Sequence, residues 1–422
     1  MKYIFKLDKS YKRILLMSFF TYLFWIIFVH TVPFSDFEYY HNLAKDIAVH
    51  NYFGDTYTSI GYSILLGMLY KLFGAYIIVG KLLNLFLAMA ANIIFLKILD
   101  YAVKNNKYKK LLLCIFAFFP SNIYFITILG TEILFTTILL LIIYIYVYNF
   151  KHKYLWIGIL SGINTIIKPF FVVTFFLFLV VEVIETKKFI IPIKNSIIIL
   201  IICLLVTSPL VYRNTKLNGK FTFVSNNGGI VLYINNNSQN NKGRWMLASD
   251  VENSLVNTET YKNANMTEKN KMLSSAAKKW IKEHPKQFVV LGIKRIANTF
   301  LLGDDVYYTL NGVNVSGNFK NTLVVLNTFL KAIIFITAFI QLGVYSIIIV
   351  ESFIKKDIIT QPFNTLMTIL FYMFIFIYFI TEGQGRYSFP LTFAAIYFSC
   401  ITFSKIINKI RSREEKYTVW YT

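Results

Sequence analysis

Apolar residues in this chain fall in long unbroken runs separated by short polar segments rich in lysine. Ten runs stand out, at about 12–31, 77–99, 111–129, 133–150, 154–168, 170–186, 190–210, 322–350, 363–381 and 388–406. Each is near the roughly 20 residues that cross a bilayer as a helix. The runs are continuous and do not alternate with period two, which favours helices over a closed β-barrel. The first, from Ile14 to Val29, is longer than a signal-peptide core. No small-residue cleavage pattern follows it, so a retained anchor is expected. Two longer pieces interrupt the pattern. The first, 32–76, contains Gly61 to Gly74, an apolar run of 14 residues that suits an interfacial or re-entrant helix. The second, 211–321, is polar, Asn-rich and basic. It opens with Lys220 to Ile234, which reads as two short strands around an Asn-Asn-Gly-Gly turn. A helix is predicted from Thr267 to His284, capped by Asn265 with Glu268 at its third position. Pro285 then interrupts, and a second helix runs to Leu302. The expectation is an all-α polytopic membrane protein of about ten transmembrane helices with a small α+β external domain. Its parts are an N-terminal membrane module (1–210), the external domain (211–321) and a C-terminal membrane module with a basic tail (322–422).

Composition agrees. Of 422 residues, 56% are hydrophobic and 15% charged, against about 25% charged in a soluble domain. The net charge of +22 would suggest nucleic acid in a soluble protein. Here it reports orientation instead. One set of loops holds Lys2, Lys6, Lys9, Lys12 and Arg13; Lys104, Lys107, Lys109 and Lys110; Lys151 and Lys153; Lys187, Lys188 and Lys194; Lys355 and Lys356; and Lys405, Lys409, Arg411 and Arg413. The opposite short loops hold only Lys45, Lys71, Lys168 and Arg386. By the positive-inside rule the first set is cytoplasmic, both termini are inside, and 32–76 and 211–321 are external. Cys114, Cys203 and Cys400 lie in or at the ends of apolar runs, so neither a disulfide nor cysteine chemistry is expected. High Ile, Lys, Asn and Tyr usage is that of an AT-rich genome and is read as bacterial, which makes the membrane the plasma membrane. The Asn-x-Ser/Thr sites at Asn236, Asn265 and Asn314 are of the kind chance produces in an Asn-rich segment.

Against that background the external charges are conspicuous. Ser35-Asp36-Phe37-Glu38-Tyr39-Tyr40 follows the first run. Two readings are open on this motif alone: Asp36 and Glu38 cap and solvate a following helix, or they are kept at a membrane face for chemistry. Other external ends hold Glu132, Lys168 before Pro169, Arg213 and Asn214, and Glu382, Arg386 and Tyr387. Any one of these is explained by snorkelling to the headgroup layer. Together they supply what a site for a lipid-linked phosphate requires: fixed cations for the phosphate and a carboxylate to deprotonate an incoming hydroxyl or amine.

At these residues the chain resembles the GT-C membrane glycosyltransferases, in particular family 39 and its aminoarabinose-transferase-like bacterial relatives, the group of the protein O-mannosyltransferases. The likeness runs through the acidic motif Ser35 to Tyr40, Leu72-Phe73-Gly74, Thr131-Glu132, Lys168-Pro169, Pro209 to Gly219, His284-Pro285 and Arg386-Tyr387. It implies a GT-C-like fold and an inverting glycosyltransferase. The donor would be a polyprenyl-phosphate-linked sugar and the acceptor a glycan, lipid or protein, with transfer outside the cytoplasm. It also implies Asp36 as catalytic base, with Lys168, Arg213 and Arg386 near the donor phosphate. Many relatives carry an adjacent acidic pair, whereas Phe37 here separates Asp36 from Glu38. Glu38 stands as the second catalytic candidate, with Tyr39, Tyr40, Glu132, Asn214, Glu382 and Tyr387 as substrate-binding candidates. No cofactor is expected, and a divalent ion on Asp36 and Glu38 has no further ligand to support it. Two alternatives stay open. A flippase or transporter of lipid-linked glycans would place charges at mid-membrane and show repeat symmetry. A polymerase or ligase would share the basic external loop without needing an acidic motif after the first span. The sugar and the acceptor are not legible.

Overall fold

The computed structural model describes residues 7–355 and 360–411. Of the basic residues above, Lys2, Lys6, Lys356 and Arg413, with the end of the tail and the side chains of Lys409 and Arg411, lie outside the described residues. The chain is a bundle of helices: α1 (Lys9–Phe28), α2 (Ser35–His50), α3 (Gly61–Phe73), α4 (Ile77–Ala102), α5 (Asn106–Ala117), α6 (Pro120–Tyr124), α7 (Thr131–Val147), α8 (Lys153–Ile167), α9 (Thr174–Thr186), α10 (Ile190–Asn218), α11 (Gly228–Asn235), α12 (Met266–Glu283), α13 (Pro285–Leu301), α14 (Gly317–Ile354), α15 (Pro362–Ile380) and α16 (Thr392–Arg411). Among the described residues seven helices are long and apolar enough to cross a membrane, or eight if the bent pair Asn106–Ala117 and Pro120–Thr127 is one span. This is the architecture of a multi-pass membrane protein.

Three sequence expectations change in detail. The run at 111–129 is broken and bends by 48°, because Pro120 starts a new helix and cannot continue the old one. The runs at 133–150 and 154–168 form α7 and α8, which have 17 and 15 residues and are short for spans. Their ends, at Thr131 and Ile167, stop at the cavity described below. The strands expected over Lys220 to Ile234 do not form, and no strand occurs among the described residues. The 211–321 segment is helical and irregular, not α+β. Two contacts explain this. Asn226 is drawn to the 55–56 loop, its N–H donating to the Thr56 carbonyl at 2.8 Å and its Nδ2 to Thr56 Oγ1 at 2.9 Å. Gly229 is not a hairpin turn but the contact between α11 and α12: a Cβ there would lie 2.1 Å from the Asn270 carbonyl. The apolar run Ile230 to Ile234 then packs as a helix on Leu273 and Val251, an ambiguity that five consecutive apolar residues cannot resolve by period.

The expected helix over 267–284 is α12, and the capping box of Asn265 and Glu268 is formed. The Asn236 sequon is buried, its Nδ2 bonded to the Leu232 and Ile380 carbonyls at 2.9 and 3.0 Å. Helix α3 lies against α2 with Tyr62, Leu66 and Tyr70 buried. Close crossing of α8 and α10 depends on Gly158 and Gly162, where an added Cβ would lie 2.7 Å from Ile202 and 2.6 Å from Val206. Small residues four apart give membrane helices this approach. Helix α14 has 38 residues, about 57 Å, and so extends well beyond a hydrocarbon core of about 30 Å.

Candidate active site

The acidic motif forms the first turn of α2. Phe34 is extended (φ −152°) and Ser35 takes φ +50°, an uncommon backbone for a residue with a side chain. Helix α2 starts from this turn with Asp36 and Glu38 at its N-terminal end, where negative charge complements the helix dipole. Asp36 Oδ2 accepts a 2.7 Å bond from Arg386 Nη2. The Arg386 side chain is 12% exposed and that of Asp36 50%, so the pair has one wet and one dry end. The guanidinium carbon lies 5.3 Å from the Phe37 ring, 5.6 Å from Tyr308 and 5.4 Å from Tyr387. This aromatic frame fixes the cation by cation–π attraction. The residue that separates the two acids in the sequence, Phe37, is therefore the floor beneath Arg386.

A second pair lies behind the first. Glu132 begins α7 and is buried; Lys168, at the turn where Pro169 ends α8, has its Nζ 3.7 Å from Glu132 Oε1. Glu132 Oε2 has no hydrogen-bond partner among the described residues. It approaches the chain at Gly130, where a Cβ would sit 2.6 Å from it and 2.9 Å from Phe37, so glycine there lets both residues converge. Glu382 accepts from Tyr387 Oη at 2.9 Å and from Gln384 Nε2. Burial pushes its carboxyl pKa up, with those two hydrogen bonds and Arg386 opposing. Tyr387 stacks on Tyr378 at 5.5 Å.

These residues line one cavity of about 320 Å³, together with Tyr40. Seven of the eleven sequence candidates concern this region directly: Asp36, Tyr40, Glu132, Lys168, Glu382, Arg386 and Tyr387 all line it. Four do not. Glu38 is exposed on α2. Tyr39 packs with Leu43, Ile47 and Leu210, and its hydroxyl pKa is pushed up to about 12, first by burial and then by Asp55. Arg213 donates to the carbonyls of Phe53 (3.0 Å), Asp55 (3.4 Å) and Gly54, and to Asn214 Oδ1. Asn214 is buried and donates to the Phe223 and Val224 carbonyls at 2.9 and 3.0 Å. Arg213 thus ties the 211–321 segment to the 53–55 loop, and Asn214 holds the start of that segment to residues 223–224, both outside the cavity lining. The cavity has a second wall that the sequence did not reveal, made of Thr58 and Ser59 from the 32–76 segment and Ser225, Asn227 and Asn270 from the 211–321 segment. These are neutral hydroxyls and amides in segments full of such residues. Among the described residues no three His, Cys, Asp or Glu side chains gather as metal ligands.

The cavity holds three carboxylates and two cations. It offers no surplus positive charge to an anion, so a phosphate would have to take Arg386 or Lys168 from the carboxylate each now meets.

No family model and no curated protein matches this sequence. Among solved structures, the oligosaccharyltransferase AglB from Archaeoglobus fulgidus, in complex with an inhibitory peptide and a dolichol-phosphate, superposes with a TM-score of 0.53 and 12% identity, over 96% of this chain and 51% of that one. The Archaeoglobus fulgidus oligosaccharyltransferase tethered with an acceptor peptide containing the NVT sequon gives 0.52 and 11%, over 96% and 50%. The chain spans about half the length of these proteins. At this identity the likeness is one of fold, and the fold is GT-C.

Proposed function

We propose that this chain is an inverting membrane glycosyltransferase of the family 39 and aminoarabinose-transferase-like kind, which moves a sugar from a polyprenyl-phosphate donor to a glycan, lipid or protein acceptor on the outer face of a bacterial plasma membrane. One observation supports this most: the Asp36–Arg386 pair at the lip of a cavity whose interior holds Lys168 and Glu132. In the reaction an acceptor hydroxyl oxygen bonds to the anomeric carbon as the bond from that carbon to the phosphate oxygen breaks. The hydroxyl proton goes to Asp36, and the electron pair leaves with the phosphate, whose growing charge Arg386 and Lys168 meet. The ion pair couples these events. A phosphate that draws Arg386 toward itself leaves the Asp36 oxygen open to the acceptor. Glu132 and Glu382, with the neutral wall, would hold sugar hydroxyls.

The test is Asp36→Asn, which keeps the shape of the side chain but accepts no proton. It is expected to fold and still bind a polyprenyl phosphate while transfer falls about 10²-fold or more, with Glu38→Gln milder. An Asp36→Asn protein with wild-type turnover on a defined donor and acceptor ends the case for Asp36 as base.

A further inference from the structure

A second buried ion pair lies outside the cavity and takes no part in the reaction above. Lys331 Nζ is 3.3 Å from Asp305 Oδ1, with side chains 1% and 0% exposed. Lys331 sits inside the apolar helix α14. Charge is costly there and seldom stabilises a fold better than apolar packing would, so its other contacts matter. Asp305 is fully engaged: Oδ1 also accepts from Asn327 Nδ2 at 2.9 Å, and Oδ2 from Ser121 Oγ at 2.8 Å. Lys331 has one further bond, 2.7 Å to the carbonyl of Gly385. The next residue is Arg386.

The turn that carries Arg386 contains Gly383 and Gly385, and glycines leave a backbone permissive. Its position is set from outside. A Cβ at Gly385 would lie 2.6 Å from Asp304 Oδ1 and 2.9 Å from the Leu302 carbonyl, and one at Gly383 would lie 2.6 Å from the backbone of Arg295. Contact places the turn, and the Lys331 ammonium is a charged hydrogen bond on its peptide chain at the residue before the guanidinium. The geometry points to Lys331 and Asp305 as positioning residues: Asp305 holds the ammonium, the ammonium fixes the Gly385 carbonyl, and Arg386 is thereby aimed at Asp36. Only the binding arm of the test rests on the function proposed above.

The full chain in detergent is compared with Lys331→Met by hydrogen exchange, with Gln341→Leu, another buried polar change on α14, as control. A lost hydrogen bond to a charged group corresponds to roughly a ten- to hundredfold change in an equilibrium. Amides of the turn from Gln384 to Ser388 are expected to exchange at least about tenfold faster in Lys331→Met, with α15 and α16 unchanged and the control like wild type. Where Lys331→Met does not fold, Asp305→Asn/Lys331→Met, which leaves no unpaired charge, carries the same comparison. An unchanged turn, or faster exchange spread evenly through the bundle, overturns the assignment. In the binding arm the probe is a polyprenyl phosphate. Lys331→Met should weaken it in the wild type and add nothing in an Arg386→Ala background. Equal losses in both backgrounds show a general structural role and also overturn it. Wild-type binding by Arg386→Ala itself would remove the phosphate role of Arg386 while hydrogen exchange still decides the positioning.

Discussion

Arg386 and Arg213 look alike in the sequence, each an isolated arginine at an external helix end, and the structure separates them. Arg386 is stacked among Phe37, Tyr308 and Tyr387 and faces Asp36 in the cavity. Arg213 has its donors on the carbonyls of 53–55. Arg386→Ala and Lys168→Ala should therefore weaken binding of a polyprenyl phosphate by about ten- to a hundredfold each, the worth of a charge-assisted contact. Arg213→Ala should leave that affinity near wild type and lower the stability of the 53–56 loop instead. Equilibrium binding to the three purified variants checks this, and an Arg213→Ala loss as large as that of Arg386→Ala would contradict the separation. The charged part of the site was legible because ionisable groups are conspicuous in an apolar chain. What each cation bonds to was not, since carbonyl acceptors are everywhere and leave no mark in a sequence. Thr58, Ser59, Ser225, Asn227 and Asn270 were hidden for the opposite reason: nothing distinguishes them from their polar neighbours.

At the scale of elements, α2 and α3 form the hairpin that carries Asp36, and one buried contact between them is titratable. His41 Nδ1 lies 2.7 Å from Tyr70 Oη, with the rings edge to face at 5.6 Å. Burial, with a smaller push from Lys45, lowers the His41 pKa from 6.5 to about 4. The folded value lies below the unfolded one, so the stability that depends on neutral His41 is fully present above about pH 6.5 and is lost as the pH falls toward 4. Thermal unfolding in detergent should show a lower midpoint at pH 5 than at pH 7.5, and His41→Gln should remove that part of the difference. A wild-type difference that His41→Gln leaves intact would assign it to other groups. Helix α3 was legible as a short apolar helix because its run is too short to span. The hairpin expected at 220–234 was misjudged because Asn-Asn-Gly-Gly satisfies a turn pattern, whereas Gly229 is needed for contact with α12, a long-range demand that local pattern does not contain.

For the whole molecule, the lysine asymmetry and the cavity give two independent statements about sidedness. The cavity takes residues from the 32–76 segment (Asp36, Ser59), from 211–321 (Ser225, Asn270), and from the ends of α7, α8 and α15 (Glu132, Lys168, Glu382). All of these must then share one end of the bundle. The lysine-rich loops meet at other contacts: Lys110 with Asp8 at 3.5 Å, Lys109 with Asp100 at 3.1 Å, and Lys187 with Ser352 at 2.8 Å. A membrane that obeys the positive-inside rule places these contacts in the cytoplasm and the cavity outside. Ser238 and Lys107 are exposed, one in the 211–321 segment and one in a lysine-rich loop. In a protein whose Cys114, Cys203 and Cys400 are replaced, a single cysteine at Ser238 should react with an impermeant maleimide on intact cells, while one at Lys107 should react only after permeabilisation. Labelling of both from the same side would break the link between charge asymmetry and cavity, and would remove the outer-face site from which the proposed transfer was argued.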